Sequence, residues 1–138
     1  MVFDANPNHN AFPAPSPKLK WAKKISKEDI AAAKKYLRLV FEPKDVDEAV
    51  QQFEKQGNNV KTFKARDILR ASQNELKPET NEDVREQFVK IFNGEPLAPI
   101  LLVRKDQKLF IADGYHRMCA AYYLDKESKV HCVAVGIE

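Results

Sequence analysis

Residues 111–122 read IADGYHRMCAAY, and the change of pattern inside them decides the fold. The apolar run that opens the stretch breaks at Asp113 and Gly114, a pair typical of a turn. From Met118 to Leu124 every residue is apolar or aromatic, which predicts a helix buried on most of its sides. The stretch therefore predicts a strand, a tight turn and a buried helix in immediate succession.

The segments on either side of this stretch extend the same architecture. Residues 100–103 and 109–112 are apolar runs separated by the polar residues 104–108, a pattern that predicts a β-hairpin. Residues 130–135 predict a last strand after the buried helix. The C-terminal half is therefore expected to run strand, strand, helix, strand, which makes the fold class α+β.

A helical hairpin is predicted in residues 26–56. Ser26 and Asp29 have the spacing of a capping box, so the first helix is expected to begin there. Pro43 is expected to end this helix, and Asp45 is expected to mark the start of the second one. The apolar face of the first helix consists of Ile30, Leu37, Val40 and Phe41.

Shorter elements connect this hairpin to the C-terminal half. Residues 60–63 predict a short strand, and residues 67–70 predict a helical turn. A third helix is predicted over residues 80–93, with Thr80 as its cap and Asp83 completing a capping box. Its apolar residues recur at helical spacing, so one face of this helix is expected to join the core.

The composition is that of an ordinary globular domain. The chain has 138 residues, of which 43% are hydrophobic and 31% charged, and its formal net charge is +3. This length suits one domain, which we place at residues 21–138 with its core at 60–135. Residues 1–20 hold four of the eight prolines and predict a flexible tail. A net charge this small gives no reason to expect a nucleic-acid partner.

The sequence offers little for metal or redox chemistry. Cys119 and Cys132 are too few for a disulfide scaffold or a four-cysteine zinc site. The three histidines are too scattered for a recognisable metal motif. No apolar run reaches the length of about 18 residues that a membrane span needs, and the N-terminus lacks a secretory signal. We therefore expect a cytoplasmic protein without a metal site and without membrane association.

The turn at residues 113–117 carries the most informative chemistry. Gly114 lets a ligand approach the backbone closely, and the start of the following helix offers unpaired N–H groups to an anion. His116 and Arg117 lie in this first helical turn, where cations oppose the helix dipole unless an anion joins them. Phosphate binding is one interpretation. The other is structural: Asp113 caps the helix and pairs with Arg117 four residues later.

The order of these features resembles the ParB/sulfiredoxin superfamily. Gly94 precedes a strand that begins at Pro99, a hairpin follows, and a Gly-Tyr-His-Arg turn leads into an alanine-containing helix. The resemblance extends over about residues 60–135. It implies a small mixed sheet with flanking helices, to which this chain adds the helical hairpin at residues 26–56.

The resemblance also implies a nucleotide ligand. Sulfiredoxins bind ATP with a Gly-Cys-His-Arg turn, and ParB proteins bind CTP with a Gly-Glu-Arg-Arg turn. By this resemblance, the nucleotide-binding residues are expected to be Gly114, Tyr115, His116, Arg117 and, by a looser match, Arg70. Two roles are open for Tyr115, which either contacts the nucleotide or packs within the protein.

Enzymatic activity is implied by one branch of the superfamily. Some archaeal relatives are free-serine kinases with an Asp-Gly-His-x-Arg turn, which makes Asp113 an expected magnesium contact or catalytic base. Glu95 is the expected second catalytic acid, on its position alone. NTP hydrolysis or phosphoryl transfer to a small molecule, with Mg²⁺, is the activity implied. Sulfinic-acid reduction is not expected, because Tyr115 replaces the sulfiredoxin nucleophile and Cys119 lies one turn deeper in an apolar helix.

Two interpretations without catalysis remain open. In one, the domain is a protein-interaction module whose helical hairpin at residues 26–56 binds a partner, and exposure of Ile30, Leu37 and Val40 would favour it. In the other, the lysines of residues 18–27 associate with DNA. DNA association is the less favoured, because a solvated basic face explains these lysines and the acidic third helix would repel nucleic acid.

Overall fold

The structure is a computed structural model that describes residues 18–138. The predicted tail lies outside the described residues up to residue 17. In chain order the elements are α1 (Lys27–Val40), α2 (Pro43–Gln56), β1 (Lys61–Lys64), α3 (Ala65–Ser72), α4 (Glu82–Phe92), β2 (Ile100–Lys105), β3 (Lys108–Asp113), α5 (Tyr115–Leu124) and β4 (Lys129–Ile137). None of these helices is long and apolar enough to span a membrane.

The strands form one mixed sheet in the order β1-β4-β2-β3. β2 and β3 make the predicted antiparallel hairpin, while β4 pairs in parallel with β2 and antiparallel with β1. The connection from β2 to its parallel neighbour β4 therefore passes through β3 and α5. The expected α+β class with a small mixed sheet and flanking helices is confirmed.

Alternating side chains of the central strands bind a helical layer to each face of the sheet. Ile100 and Leu102 of β2 belong to a buried cluster with residues of α3, α4 and α5. Leu101 and Val103 point to the other face and join a cluster with residues of α1 and α2. Because both faces are covered, β2 is apolar at four successive positions rather than at alternate ones.

The helical hairpin predicted at residues 26–56 is present as α1 and α2. Leu37 of α1 and Phe53 of α2 are fully buried against the sheet, and Ile30 is half-buried there. Val40, at the end of α1, is exposed. Most of the predicted apolar stripe is therefore used inside the fold, which leaves Val40 as the part accessible to a partner.

The predicted start of α1 is correct, and the predicted start of α2 is wrong. The side chain of Ser26 accepts from the N–H of Asp29, and the Asp29 carboxylate accepts from the N–H of Ser26, at 3.1 and 2.9 Å. The second helix, however, begins at Pro43 and not at Asp45. Proline is favoured at the first helical position, since the N–H that it lacks would have no partner there. Pro43 thus both ends α1 and begins α2.

The predicted cap of the third helix is also wrong by one residue. Asn81, and not Thr80, precedes the first turn of α4, and its side-chain oxygen accepts from the N–H groups of Asp83 and Val84 at 3.0 and 3.1 Å. Both asparagine and threonine are good caps, and asparagine is the better of the two. The helix therefore runs over Glu82–Phe92 rather than 80–93.

Tertiary contacts lengthen the elements that were predicted as short. The helical turn expected at residues 67–70 is the two-turn helix α3, anchored by a hydrogen bond of 3.0 Å from the N–H of Ala65 to the carbonyl of Ser128. The last strand extends beyond residues 130–135 because its ends pair with other strands: Lys129 pairs with Lys64 and Ile137 with Lys105. Lys129 is polar and Gly136 has no side chain, so the apolar pattern of residues 130–135 did not reveal the extension.

Candidate functional site

The β3–α5 turn presents an uncapped helix start. Gly114 occupies the N-cap position of α5 with φ at +98°, and no side chain caps the first turn. The first intrahelical bond runs from the N–H of Met118 to the carbonyl of Gly114 at 2.9 Å. The preceding N–H groups of the turn therefore have no intrahelical partner, which is the local geometry that suits an anion.

Glycine is required at position 114 for two independent reasons. The positive φ is a conformation that other residues adopt at a cost. A Cβ at this position would also lie 2.8 Å from Nη2 of Arg117 and 3.0 Å from Cγ1 of Ile100. The turn is therefore closed from behind by an arginine and by the first residue of β2.

Arg117 lies behind the turn and holds it in place. Its Nη2 is 3.2 Å from Oδ2 of Asp113 and 3.3 Å from the carbonyl oxygen of Pro99. Its side chain is only 15% exposed, and its Nε is buried without a hydrogen-bond partner in the described part of the chain. Of the structural interpretation, the ion pair of Asp113 with Arg117 is present, but the cap is wrong, because Gly114 and not Asp113 occupies the N-cap position. Part of the guanidinium retains unused donor capacity.

Asp113 experiences two opposing influences. Burial raises the pKa of its carboxyl above the usual value, and the neighbouring positive charge and hydrogen bond of Arg117 act in the opposite direction. Asp29, across the sheet end on α1, raises this pKa further through its negative charge. Because desolvation is the larger influence, the carboxyl holds its proton more tightly here than in water.

The raised pKa of Asp113 predicts a pH dependence of stability. A carboxyl whose pKa is higher in the folded state makes stability fall as the pH rises between the unfolded and folded values, because the folded state binds more protons there. This window begins at the ordinary value of 3.8. Asp113→Asn lacks this titration. We therefore expect the free energy of unfolding of the wild type, relative to Asp113→Asn, to decrease as the pH rises above 3.8.

Urea unfolding of the wild type and Asp113→Asn at a series of pH values above 3.8 measures the difference in their free energies of unfolding. A difference that stays constant, or one that increases with pH, would contradict the assignment of a raised pKa to Asp113.

A cleft of about 290 Å³ lies in front of the turn. Its walls come from β3, from the turn itself through His116, and from Ala32 and Tyr36 of α1 and Asn74 after α3. The His116 ring lies at the mouth, with Nε2 3.7 Å from Oδ2 of Asp83 at the start of α4. Tyr36 and Asn74 had no signal in the sequence, because Tyr36 lies outside the predicted apolar face of its helix and Asn74 lies in a loop.

Tyr115 is anchored by the segment that follows α3. Its hydroxyl donates to the carbonyl of Glu75, and the hydroxyl of Tyr123, two turns further along α5, donates to the carbonyl of Lys77 at 2.7 Å. Burial, together with the neighbouring thiol of Cys119, raises the pKa of Tyr115 to about 12. The hydroxyl therefore stays protonated and serves to fasten this segment over α5, while the Tyr115 ring also lines the cleft.

Two predicted site residues lie apart from this cleft. Arg70 is on α3 with its side chain 86% exposed, and its Nη2 is 3.6 Å from Oδ1 of Asp67. Glu95 is exposed in the loop after α4, where its N–H bonds the carbonyl of Lys90 at 3.0 Å. Neither residue lines the cleft. The residues that the structure brings together are Asp113, Gly114, Tyr115 and His116, with Arg117 behind them.

Cysteine chemistry and metal binding receive no support from the geometry. Cys119 is fully buried in α5, and burial raises the pKa of its thiol. A thiol in that state is a poor nucleophile at neutral pH. Within residues 18–138, no group of three or more histidine, cysteine, aspartate or glutamate side chains is arranged to hold a metal ion.

Comparison of the chain with models of protein families, with curated proteins and with solved structures found no match. The site is therefore interpreted from its own geometry and from the motif order described above.

Proposed function

We propose that the cleft at the start of α5 binds the phosphate groups of a nucleotide, ATP or CTP. The observation that carries this proposal is the uncapped helix start at Gly114, which opens into a cleft of about 290 Å³ with an imidazole at its mouth. A helix N-terminus attracts anions through its free N–H groups and its dipole. A volume of this order admits a phosphate chain more readily than a whole nucleotide, so the base and sugar would extend toward the mouth.

Each residue of the turn has a defined role in this proposal. The backbone N–H groups after Gly114 donate to phosphate oxygens, and His116 donates from the mouth. Arg117 supplies positive charge from behind the turn, where its hydrogen bond to Asp113 fixes the guanidinium. The raised pKa of Asp113 makes its carboxylate a stronger proton acceptor than a free aspartate, which suits the role of catalytic base. Hydrolysis or phosphoryl transfer would then depend on positioning and charge neutralisation.

The arrangement of the elements supports membership of the ParB/sulfiredoxin superfamily as part of this proposal. The hairpin, the glycine turn and the buried helix follow one another as that resemblance implies. The ion pair of Asp113 with Arg117 also gives a physical reason for an arginine at this place in the turn. Arg70 and Glu95 remain predictions, because both lie outside the cleft.

Nucleotide-dependent stabilisation tests the proposal. We expect ATP or CTP with Mg²⁺ to raise the midpoint of thermal unfolding, since a ligand at 100 times its dissociation constant adds about 2.7 kcal/mol. His116→Ala should weaken binding about tenfold by removing one charge-assisted donor. Arg117→Ala is unsuitable as the first variant, because it also frees the Pro99 carbonyl and Asp113.

Lys55→Ala is the matched control, since it removes an exposed cation from the last turn of α2. When the nucleotide is added, the amide NMR signals of Gly114 and Tyr115 should shift. The assignment of the site is overturned if the nucleotide stabilises His116→Ala as much as the wild type. It is also overturned if the shifted amide signals belong to residues outside the turn. The absence of stabilisation by any nucleotide would overturn the proposed function.

A second candidate function is a protein-interaction module. It is favoured by one observation: Leu39, near the end of α1, is 83% exposed, and the neighbouring Val40 is exposed as well. Exposed apolar side chains at the end of a helix offer contact area to a protein partner. If no nucleotide raises the midpoint of thermal unfolding, protein interaction becomes the better proposal.

A further inference from the structure

A second cavity lies at the opposite end of β3 from the glycine turn. It has a volume of about 410 Å³ and lies between α3 and the tip of the β2–β3 hairpin. Along β3 this cavity is lined by Lys108 and Leu109, whereas the cleft at Gly114 is lined by residues from Ile111 onward. The two cavities share no lining residue, so a ligand here would not be part of the cleft at Gly114.

The cavity exists because the helical cover of the sheet ends before the strands do. Leu102 and Ala134 form its floor on the face covered by α3, and Ile68 of α3 forms a wall. Further along β4, Gly136 pairs in register with Arg104, and nothing lies within 4 Å of the position that its Cβ would occupy. Ala134 and Gly136, which lie on the same face of β4, are thus too small to fill the space, and an apolar cavity remains.

The rim of the cavity carries positive charge that no ion pair within residues 18–138 neutralises. Arg104 and Lys108 line the cavity, and neither forms an ion pair with another residue in the described part of the chain. The carboxylate of the lining residue Asp67 is already engaged, at 3.6 Å from Nη2 of Arg70 and 4.0 Å from Nε of Arg66.

The residue next to Arg104 shows the contrast. Lys105 points to the other face of the sheet, where it forms an ion pair with Asp45 of α2 and lies over the ring of Phe41. Among the described residues, the cation that faces the α1–α2 layer therefore has an acidic partner, and the one beside the cavity has none.

We infer that this cavity binds a small amphipathic anion, a molecule with an apolar body and one carboxylate. The apolar floor favours an alkyl chain or a single ring, and a cavity of this volume lies in the usual range for small-molecule sites. The planar guanidinium of Arg104 can donate two parallel hydrogen bonds to a carboxylate, and Lys108 adds a second positive charge. The inference does not depend on nucleotide binding at Gly114.

Octanoate, octan-1-ol and octylammonium test this inference, because they share one chain and differ in charge. In amide NMR titrations of the full chain, we expect octanoate to shift Leu102, Arg104 and Gly136. Its affinity should exceed that of octanol at least tenfold, and octylammonium should bind more weakly than octanol. Arg104→Gln should weaken octanoate binding about tenfold and leave octanol binding unchanged.

Two further variants keep the test decisive. Ala71→Phe projects a ring into the cavity from an exposed position of α3, so it should abolish binding of both octanoate and octanol without unfolding the domain. Arg85→Gln, an exposed cation on α4, is the control and should change nothing. The inference is overturned if octylammonium binds as well as octanoate, if Arg104→Gln has no effect, or if the shifts appear at Gly114 instead.

Discussion

Gly114→Ala should lower the free energy of unfolding by about 3 kcal/mol, because strain of about 1–2 kcal/mol adds to overpacking of about 1–3 kcal/mol. The strain arises from the φ of +98°, which a side chain adopts only at a cost. The overpacking arises because the new methyl group would lie 2.8 Å from Nη2 of Arg117 and 3.0 Å from Cγ1 of Ile100. Urea unfolding followed by circular dichroism measures the loss.

Gly136→Ala is the matched control for this substitution. Position 136 has an ordinary strand conformation, and nothing lies within 4 Å of its added Cβ. We expect this variant to change stability by less than about 0.5 kcal/mol or to raise it slightly. Equal losses from the two glycine substitutions would contradict the geometry described for the turn.

A double variant separates the two contributions at position 114. In Arg117→Ala the guanidinium that opposes the new methyl group is gone, so Gly114→Ala should cost less in that background than in the wild type. The difference is a coupling energy between the two positions, and residues in contact show such couplings of about 0.5–3 kcal/mol. If Gly114→Ala lowers the stability of the wild type and of Arg117→Ala equally, the contact with Arg117 contributes nothing to the loss.

Phe53→Ala should lower the free energy of unfolding by about 3–5 kcal/mol, the range for removing a buried aromatic ring. Phe53 is fully buried between α2 and the sheet, in the cluster that also contains Leu37 and Val133. A loss of this size is a large part of the total stability of a domain of ordinary size. Leu39→Ala, which truncates an exposed side chain on α1, is the control and should cost less than about 0.5 kcal/mol.

The same variant tests whether the helical hairpin belongs to one cooperative domain. Trp21 is the only tryptophan; it packs against the cluster formed with α3, α4 and α5, and its ring stacks on that of His131. If residues 21–138 unfold as one unit, Phe53→Ala shifts the Trp21 fluorescence transition and the circular dichroism transition equally. A fluorescence transition that keeps its wild-type midpoint would divide the domain into two independently folding parts.

The elements that sequence patterns predicted well are those decided by nearby residues. Ser26 and Asp29 bond each other's backbone within one turn, so their spacing alone located the start of α1. The β2–β3 hairpin followed from two apolar runs around a short polar turn. Where two neighbouring residues offered the same local chemistry, as Thr80 and Asn81 do, the sequence pattern selected the wrong one.

The candidate site divides in the same way. The glycine turn and its basic residues were evident from the order of residues 113–117, because a turn, a helix start and their charges are contiguous. The walls of the cleft were not evident, because Tyr36 and Asn74 are distant in sequence from the turn. The role of Tyr115 was equally hidden, since its hydroxyl bonds a carbonyl 40 residues away.

The sequence by itself determined the α+β class, the helical hairpin and the anion-suited turn, because apolar periodicity, capping and glycine conformations act over a few residues. Only the tertiary structure decided that Arg117 lies behind the turn with Asp113, that Arg70 and Glu95 lie apart from the cleft, and that a second cavity opens beside Arg104. These outcomes depend on which strands pair and on where helices stop covering the sheet. Such long-range packing leaves no periodic trace in the chain, because each contact joins residues whose separation in sequence is arbitrary.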